Sequence, residues 1–168
     1  MKLVIVSGSS RHRSTSNKIA ESVLQLSHQT ALISQVTLID FTQLALPIWD
    51  ASLKNEYPLW QSEWQKTAQP LLDADAVIII SPEWEEESLD NFYAFSRLAD
   101  IPALPCIVLR VSSECRGAYS AIDLALNNFT KNSTYLILEH LVVATCDAVT
   151  SCKEPSYPLE TTIIERIL

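Results

Sequence analysis

Glycine is nearly missing from this chain: Gly8 and Gly117 are the only two in 168 residues. With so few, two common phosphate-binding signatures are excluded. There is no GxGxxG, so the dinucleotide fingerprint is absent, and no GxxxxGK(S/T), so there is no nucleotide-triphosphate P-loop. Basic charge is short too. Twelve lysines and arginines face twenty acids, a formal net charge of −8. Nucleic acids and anionic membranes need a cationic face, so neither is expected as a partner. The four cysteines, Cys106, Cys115, Cys146 and Cys152, show no CxxC spacing. Free thiols in a reducing compartment are the simplest expectation, with no metal. No apolar run approaches the roughly 20 residues of a membrane span. The opening "MKLVIVSGSS" lacks the apolar segment of about 7–15 residues and the cleavage site of a signal peptide. A cytoplasmic protein is expected.

What is present is a chain that can bury a core. It is 48% hydrophobic and 19% charged, which fits one domain spanning 1–168. Short β-branched runs alternate with helical patterns. Leu3–Ser7 is a continuous apolar run, as in a strand buried on both faces. Asn17–Leu26 then places Ile19, Ala20, Val23 and Leu24 on one helix face. Gln35–Asp40 reads as a second strand. "FTQLALPIWDASLKNEYP" is a long irregular connection. Leu59–Leu72 reads as a helix that Pro70 must kink or end.

Ala76–Ser81 is a third strand and Cys106–Val111 a fourth. Leu89, Phe92, Tyr93 and Ser96 mark one helix; Ala118, Ile122, Ala125 and Phe129 mark another. Tyr135–Thr145 carries a last strand with an irregularity near Glu139 and His140, and Ile163, Ile164, Ile167 and Leu168 mark a last helix. This alternation implies a parallel sheet covered on both faces. Such sheets bind ligands beyond the carboxyl ends of their strands, which directs attention to "SGSSRHRSTS", "SPEWEEES" and "VSSECRGAYS".

The first of these loops gathers Ser9, Ser10, Ser14, Thr15 and Ser16 around Arg11 and Arg13, between a strand and a helix start. Backbone N–H groups and the helix dipole favour an anion there. Hydroxyls add donors, and a guanidinium pairs with phosphate in a forked geometry. Gly8 is expected to permit a tight turn. No cysteine lies in the loop, which argues against a cysteine phosphatase, and no acidic pair ends the first strand, which argues against a phospho-accepting receiver. Helix capping by Ser14 or Ser16 is the plainer alternative.

Several segments together resemble the NADPH-dependent FMN reductase family. Its first loop runs G-S-x-R-x-x-S-x-N; "GSSRHRSTSNKIA" matches at Gly8, Ser9, Arg11 and Ser14, with Ser16 in the asparagine's place. "LIDFTQLALPIWD", "LLDADAVIIISPEW" and "PCIVLRVSSECRGAYSAIDLALNNF" resemble later segments of the family in the right order. The resemblance implies a flavodoxin-like three-layer α/β sandwich: a five-stranded parallel sheet, order 2-1-3-4-5, with helices on both faces. It implies FMN as cofactor, NADPH or NADH as electron donor and a small-molecule acceptor such as free flavin or a quinone, in a homodimer or homotetramer. It places the FMN phosphate on Ser9, Arg11, Ser14 and Ser16. It places the ring between Pro82, Glu83, Trp84 and Glu85 on one side and Ser112, Ser113 and Arg116 on the other. No catalytic triad or general base is expected, because hydride transfer is the flavin's own chemistry.

The chain departs from the family after Trp84. Where the family continues with asparagine, small residues and Pro-Gly, this sequence has Glu85, Glu86 and Glu87, then Leu89 and Asp90. Acids ahead of a helix complement its dipole by about 0.3–1 kcal/mol each at best. Near reduced FMN, a carboxylate repels negative charge by about 1 kcal/mol per pair at 4 Å in water, and more when desolvated. Such charge would lower the flavin's reduction potential or weaken its binding, and a poorer reductase than typical relatives, or one with a different electron donor, is expected. Two further readings stay open: a non-catalytic flavodoxin-like binding domain that has lost the ring site, and a flavodoxin-type electron carrier. Arg11 disfavours the carrier, whose phosphate loop is mainly Ser, Thr and Asn. The dense aromatics Trp49, Tyr57, Trp60 and Trp64 read as core or subunit interface.

Overall fold

The β-branched runs become a parallel sheet. The computed structural model describes residues 1–44, 66–82, 101–112 and 135–144, with backbone alone at 82, 112 and 135–144. Its strands are β1 (Lys2–Ser7), β2 (Gln35–Asp40), β3 (Ala76–Pro82), β4 (Leu104–Ser112) and β5 (Tyr135–Ala144). They lie in the order β2-β1-β3-β4-β5, and every neighbouring pair is parallel. β1, β3 and β4 extend the sequence reading by at most two residues at either end, β2 coincides with it, and β5 ends one residue short of it.

Alternate residues along the strands serve opposite faces. On one face Leu3, Ile5, Ile78, Ile80, Ile107 and Leu109 pack beneath Ile19, Ala20 and Val23 of α1 (Thr15–Gln29). Leu24, placed on the same helix face by its spacing, packs against this cluster as a partly buried residue. On the other face Val4, Val6, Val77, Ile79, Cys106 and Val108 pack with Ala68 and Leu71 from a helical segment at 66–72. Helices therefore cover both faces, which is why the central strands read as unbroken apolar runs. Each fully buried Val, Leu or Ile contributes about 1.5–3 kcal/mol relative to exposure.

The helical segment continues two residues past Pro70 before ending, so the proline itself does not stop it. Near its end Asp73 N–H donates to the carbonyl of Gln69 at 3.2 Å. The irregularity expected near Glu139 is a one-residue slip: Cys106 pairs Ile137 but Ile107 pairs Glu139. Leu138 is the extra residue of a bulge, and the strand continues beyond it. Cys106 is a free thiol, fully buried in β4, and burial pushes its pKa up. The remaining cysteines, the aromatic cluster and the helices expected after β3, β4 and β5 lie outside the described residues. Among the described residues no helix is long and apolar enough to cross a membrane, and no group of three or more His, Cys, Asp or Glu could hold a metal.

Candidate functional site

In the strand order the chain leaves β1 for β2 on one side and β3 for β4 on the other. From β1 the chain passes into α1 on one face, then returns as β2. From β2 it crosses by way of the helical segment 66–72 on the other face, then returns as β3. Since β1 and β3 are neighbours, the boundary between them is the topological switch point, where such sheets open a crevice at their carboxyl ends. Ser7 ends β1 in register with Asp40, the last residue of β2, and with Ile80 of β3. Pro82 ends β3 opposite Val111 of β4, beside Ser112.

The loop from Gly8 to Ser14 rises from this edge. Gly8 is buried, and its N–H donates to the carbonyl of Ile80 at 2.9 Å, carrying the ladder one residue beyond β1. The tight turn expected at Gly8 is not made there. No described glycine has positive φ, and the left-handed residue is Arg13, at φ 59°. Ser14 N–H reaches the carbonyl of Arg11 at 3.4 Å, so Arg13 is the third residue of a four-residue turn, where type II turns take Gly or Asn. A left-handed arginine costs about 1–2 kcal/mol. Ser9 is completely buried, and its hydroxyl accepts the Arg11 N–H at 3.3 Å. The side chains of Arg11, His12 and Arg13 are exposed.

Ser14 is the N-cap of α1, with φ −64° and ψ 160°. Its Oγ accepts the backbone N–H of Asn17 at 3.2 Å, the bond that favours serine at this position. The same hydroxyl donates to Asn17 Oδ1 at 2.7 Å. A serine has one proton to give, so Ser14 has none left for a ligand. The first turn of α1 carries no acidic residue, and nothing on the helix itself offsets its positive end. Replacing Ser14 with alanine should cost about 1 kcal/mol of stability, measurable as a lowered urea midpoint with unchanged slope.

Asn17 joins three elements. Ser7 Oγ at the end of β1 donates to its Oδ1 at 2.8 Å, and its Nδ2 donates to Asp40 Oδ1 at the end of β2 at 3.4 Å. Asp40 also accepts from the backbone N–H of Thr42 at 2.9 Å, Thr42 Oγ1 at 2.8 Å and Gln43 Nε2 at 3.4 Å. Beside this network lies an open cleft of about 680 Å³ lined in part by His12, Arg13, Asn17, Lys18 and Asp40.

Of the residues the sequence singled out, Ser9, Arg11, Ser14 and Ser16 gather in the β1–α1 loop and the first turn of α1. Ser16 is buried, at 2% exposure. Pro82 and Ser112 stand at the same sheet edge. Glu83, Trp84, Glu85, Ser113 and Arg116 lie outside the described residues, as do Glu86 and Glu87. Sequence reasoning missed the roles of Ser7, Asn17 and Asp40. The spacing of Ser14 and Asn17, N-cap and third helical residue, was a usable signal because it mimics a capping box. It also missed Arg110, which is buried to 5% exposure and pairs in register with Ser81. An arginine inside an apolar strand was the available clue.

The family model for NADPH-dependent FMN reductase matches residues 1–87, more than half of the 168. The chain belongs to the NADPH-dependent FMN reductase family. The matched segment includes β1, the whole serine–arginine loop, α1, β2 and β3, and this flavin-dependent oxidoreductase family has FMN as its cofactor. Solved structures share the fold at low identity. An oxidoreductase from Corynebacterium diphtheriae superimposes with TM-score 0.66 at 15% identity, covering 99% of this chain and 90% of its own. An NADH:FMN oxidoreductase in its apo form gives 0.56 at 17%, covering 84% and 75%. Oxidised flavodoxin 1 from Bacillus cereus gives 0.50 at 17%, covering 87% and 86%. The flavodoxin-like α/β fold is thereby established for this FMN reductase family member. No curated protein sequence matches the chain significantly.

Proposed function

We propose that the chain is an FMN-dependent NAD(P)H oxidoreductase that reduces free flavin, a quinone or a similar small acceptor, and that the β1–α1 loop holds the FMN phosphate. One observation carries the loop assignment: the acid-free N-terminus of α1 opens at the switch point between β1 and β3. The first N–H groups of a helix have no intrahelical partner and favour an anion. The donor set fits a phosphate dianion. Arg11 supplies a forked cation, and the backbone of the first turn supplies N–H groups at Thr15 and Ser16. Ser14 contributes by fixing that turn rather than through its own proton, while Ser9 braces the backbone at Arg11.

Pro82, Glu83, Trp84 and Glu85 are assigned to one side of the ring, and Ser112, Ser113 and Arg116 to the other. That assignment is supported by the family motif and by the shared edge at which β3 and β4 end. Bound FMN supplies the two-electron chemistry; the chain binds and orients it. Glu85, Glu86 and Glu87, next in sequence to this loop, add negative charge that slows the encounter with a polyanionic donor. The family resemblance also supports a single-domain, cytoplasmic homodimer or homotetramer.

The test is an absorption spectrum of the purified protein, a titration of the apo form with FMN, then NADH and NADPH oxidation with a flavin or quinone acceptor. Micromolar or tighter FMN binding with donor oxidation is the expected result. A folded protein that stays colourless and ignores FMN would end the enzyme reading in favour of a binding module.

A further inference from the structure

We infer that Asn17 is a positioning residue for the phosphate loop: its amide locks the N-terminus of α1 to the ends of β1 and β2 and so governs how tightly the FMN phosphate is held. The inference rests on the phosphate assignment proposed above. Asn17 is 9% exposed. Its side chain bonds Ser7 of β1, the N-cap Ser14 and Asp40 of β2 together. The amide can face only one way. A carboxylate accepts and cannot donate, so Nδ2 must point to Asp40 and Oδ1 to the two hydroxyls. Asp40 is itself held by Thr42 and Gln43, which makes it a fixed anchor.

The proton of Ser14 is spent inside this network, so in the proposed site phosphate affinity rests on Arg11, the other loop hydroxyls and the backbone donors of the helix start. Backbone donors act by position, and their position depends on what holds the helix start. The tie through Asn17 therefore influences the ligand without touching it.

Asn17→Asp is the sharpest variant. It keeps an acceptor for Ser7 and Ser14 but loses the donor to Asp40, and it sets two carboxylates at about the 3.4 Å that separates the present pair. Two carboxylates that close do not both ionise freely. When both are ionised the pair repels and the helix start is released; as pH falls, a shared proton restores a donor. His12, Arg13, Lys18 and Glu21 line the same cleft. Because these charged and ionisable groups face the site, the wild type is measured in parallel at each pH.

The experiment compares dissociation constants for FMN and riboflavin, which differ by the phosphate, in wild type and Asn17→Asp between about pH 5 and 8. The wild type should prefer FMN across the range. The variant should lose about tenfold of that preference at the alkaline end, keep its riboflavin affinity, and regain the preference in acid. A wild type that binds riboflavin as tightly as FMN would overturn the phosphate assignment and this inference with it. A discriminating wild type whose variant keeps the same ratio at every pH would overturn the inference alone. So would parallel loss of both ligands, or loss without recovery in acid, since either marks a general structural role. Should the aspartate variant not fold, Asn17→Ser removes the reach to Ser7 and Asp40 without adding charge. It should lose the FMN preference at every pH, and retention would overturn the inference.

Discussion

An Arg11→Ala variant should bind FMN about 10–100-fold more weakly while its riboflavin affinity holds. Hydrogen bonds to a charged partner are worth about 1.5–3 kcal/mol, and each 1.4 kcal/mol is tenfold in affinity. Arg11 is exposed at the first position of the turn that Ser14 closes, beside the first turn of α1, which carries no acidic residue of its own. Its guanidinium and the helix N–H groups would share one phosphate. Arg11→Lys should fall between wild type and alanine, because an ammonium keeps the charge and loses the fork. Raising the salt concentration should narrow the gap between arginine and alanine, since exposed charges are screened. Flavin fluorescence quenching reads all of these. An alanine variant with wild-type FMN affinity would remove Arg11 from the phosphate site.

Ile78→Ala should destabilise the fold by about 2–5 kcal/mol, the range for deleting a buried isoleucine and leaving part of its volume empty. Ile78 is completely buried in β3. It sits in one cross-strand row with Ile5 of β1 and Ile107 of β4, all three in the core beneath α1. A row at the centre of a sheet cannot collapse easily, because its neighbours are fixed by ladder hydrogen bonds on both sides. The cost should therefore lie toward the upper part of the range. Leu72→Ala serves as the control: Leu72 is 43% exposed, and a surface substitution usually stays within about 0.5 kcal/mol. Urea unfolding of the two variants separates the cases. Equal midpoints would mean that Ile78 is not enclosed as described.

The loop's place between β1 and α1 was legible in the sequence, while the hydrogen-bond partners inside it were not. The serine–arginine cluster pointed to the loop because residue types alone advertise an anion site at a helix start. The same types did not say which hydroxyl keeps a free proton. Ser14, open to either a phosphate or a capping role by sequence, is a cap whose proton goes to Asn17. Gly8 looked like the turn residue because glycine alone adopts positive φ without cost. The turn falls five residues later, on Arg13, and Gly8 continues the sheet ladder instead.

By itself the sequence determined the strand runs, the amphipathic face of α1 and the family-like loop. Each of these is written in local period and composition, which hydrophobic burial and backbone propensity read directly. Only the tertiary structure decided the partners: that Asn17 meets Asp40, 23 positions away, and that Arg110 stands opposite Ser81. Strand order and register place these groups side by side. Both depend on the packing of the whole sheet, because nothing in a local window fixes which strand ends will meet.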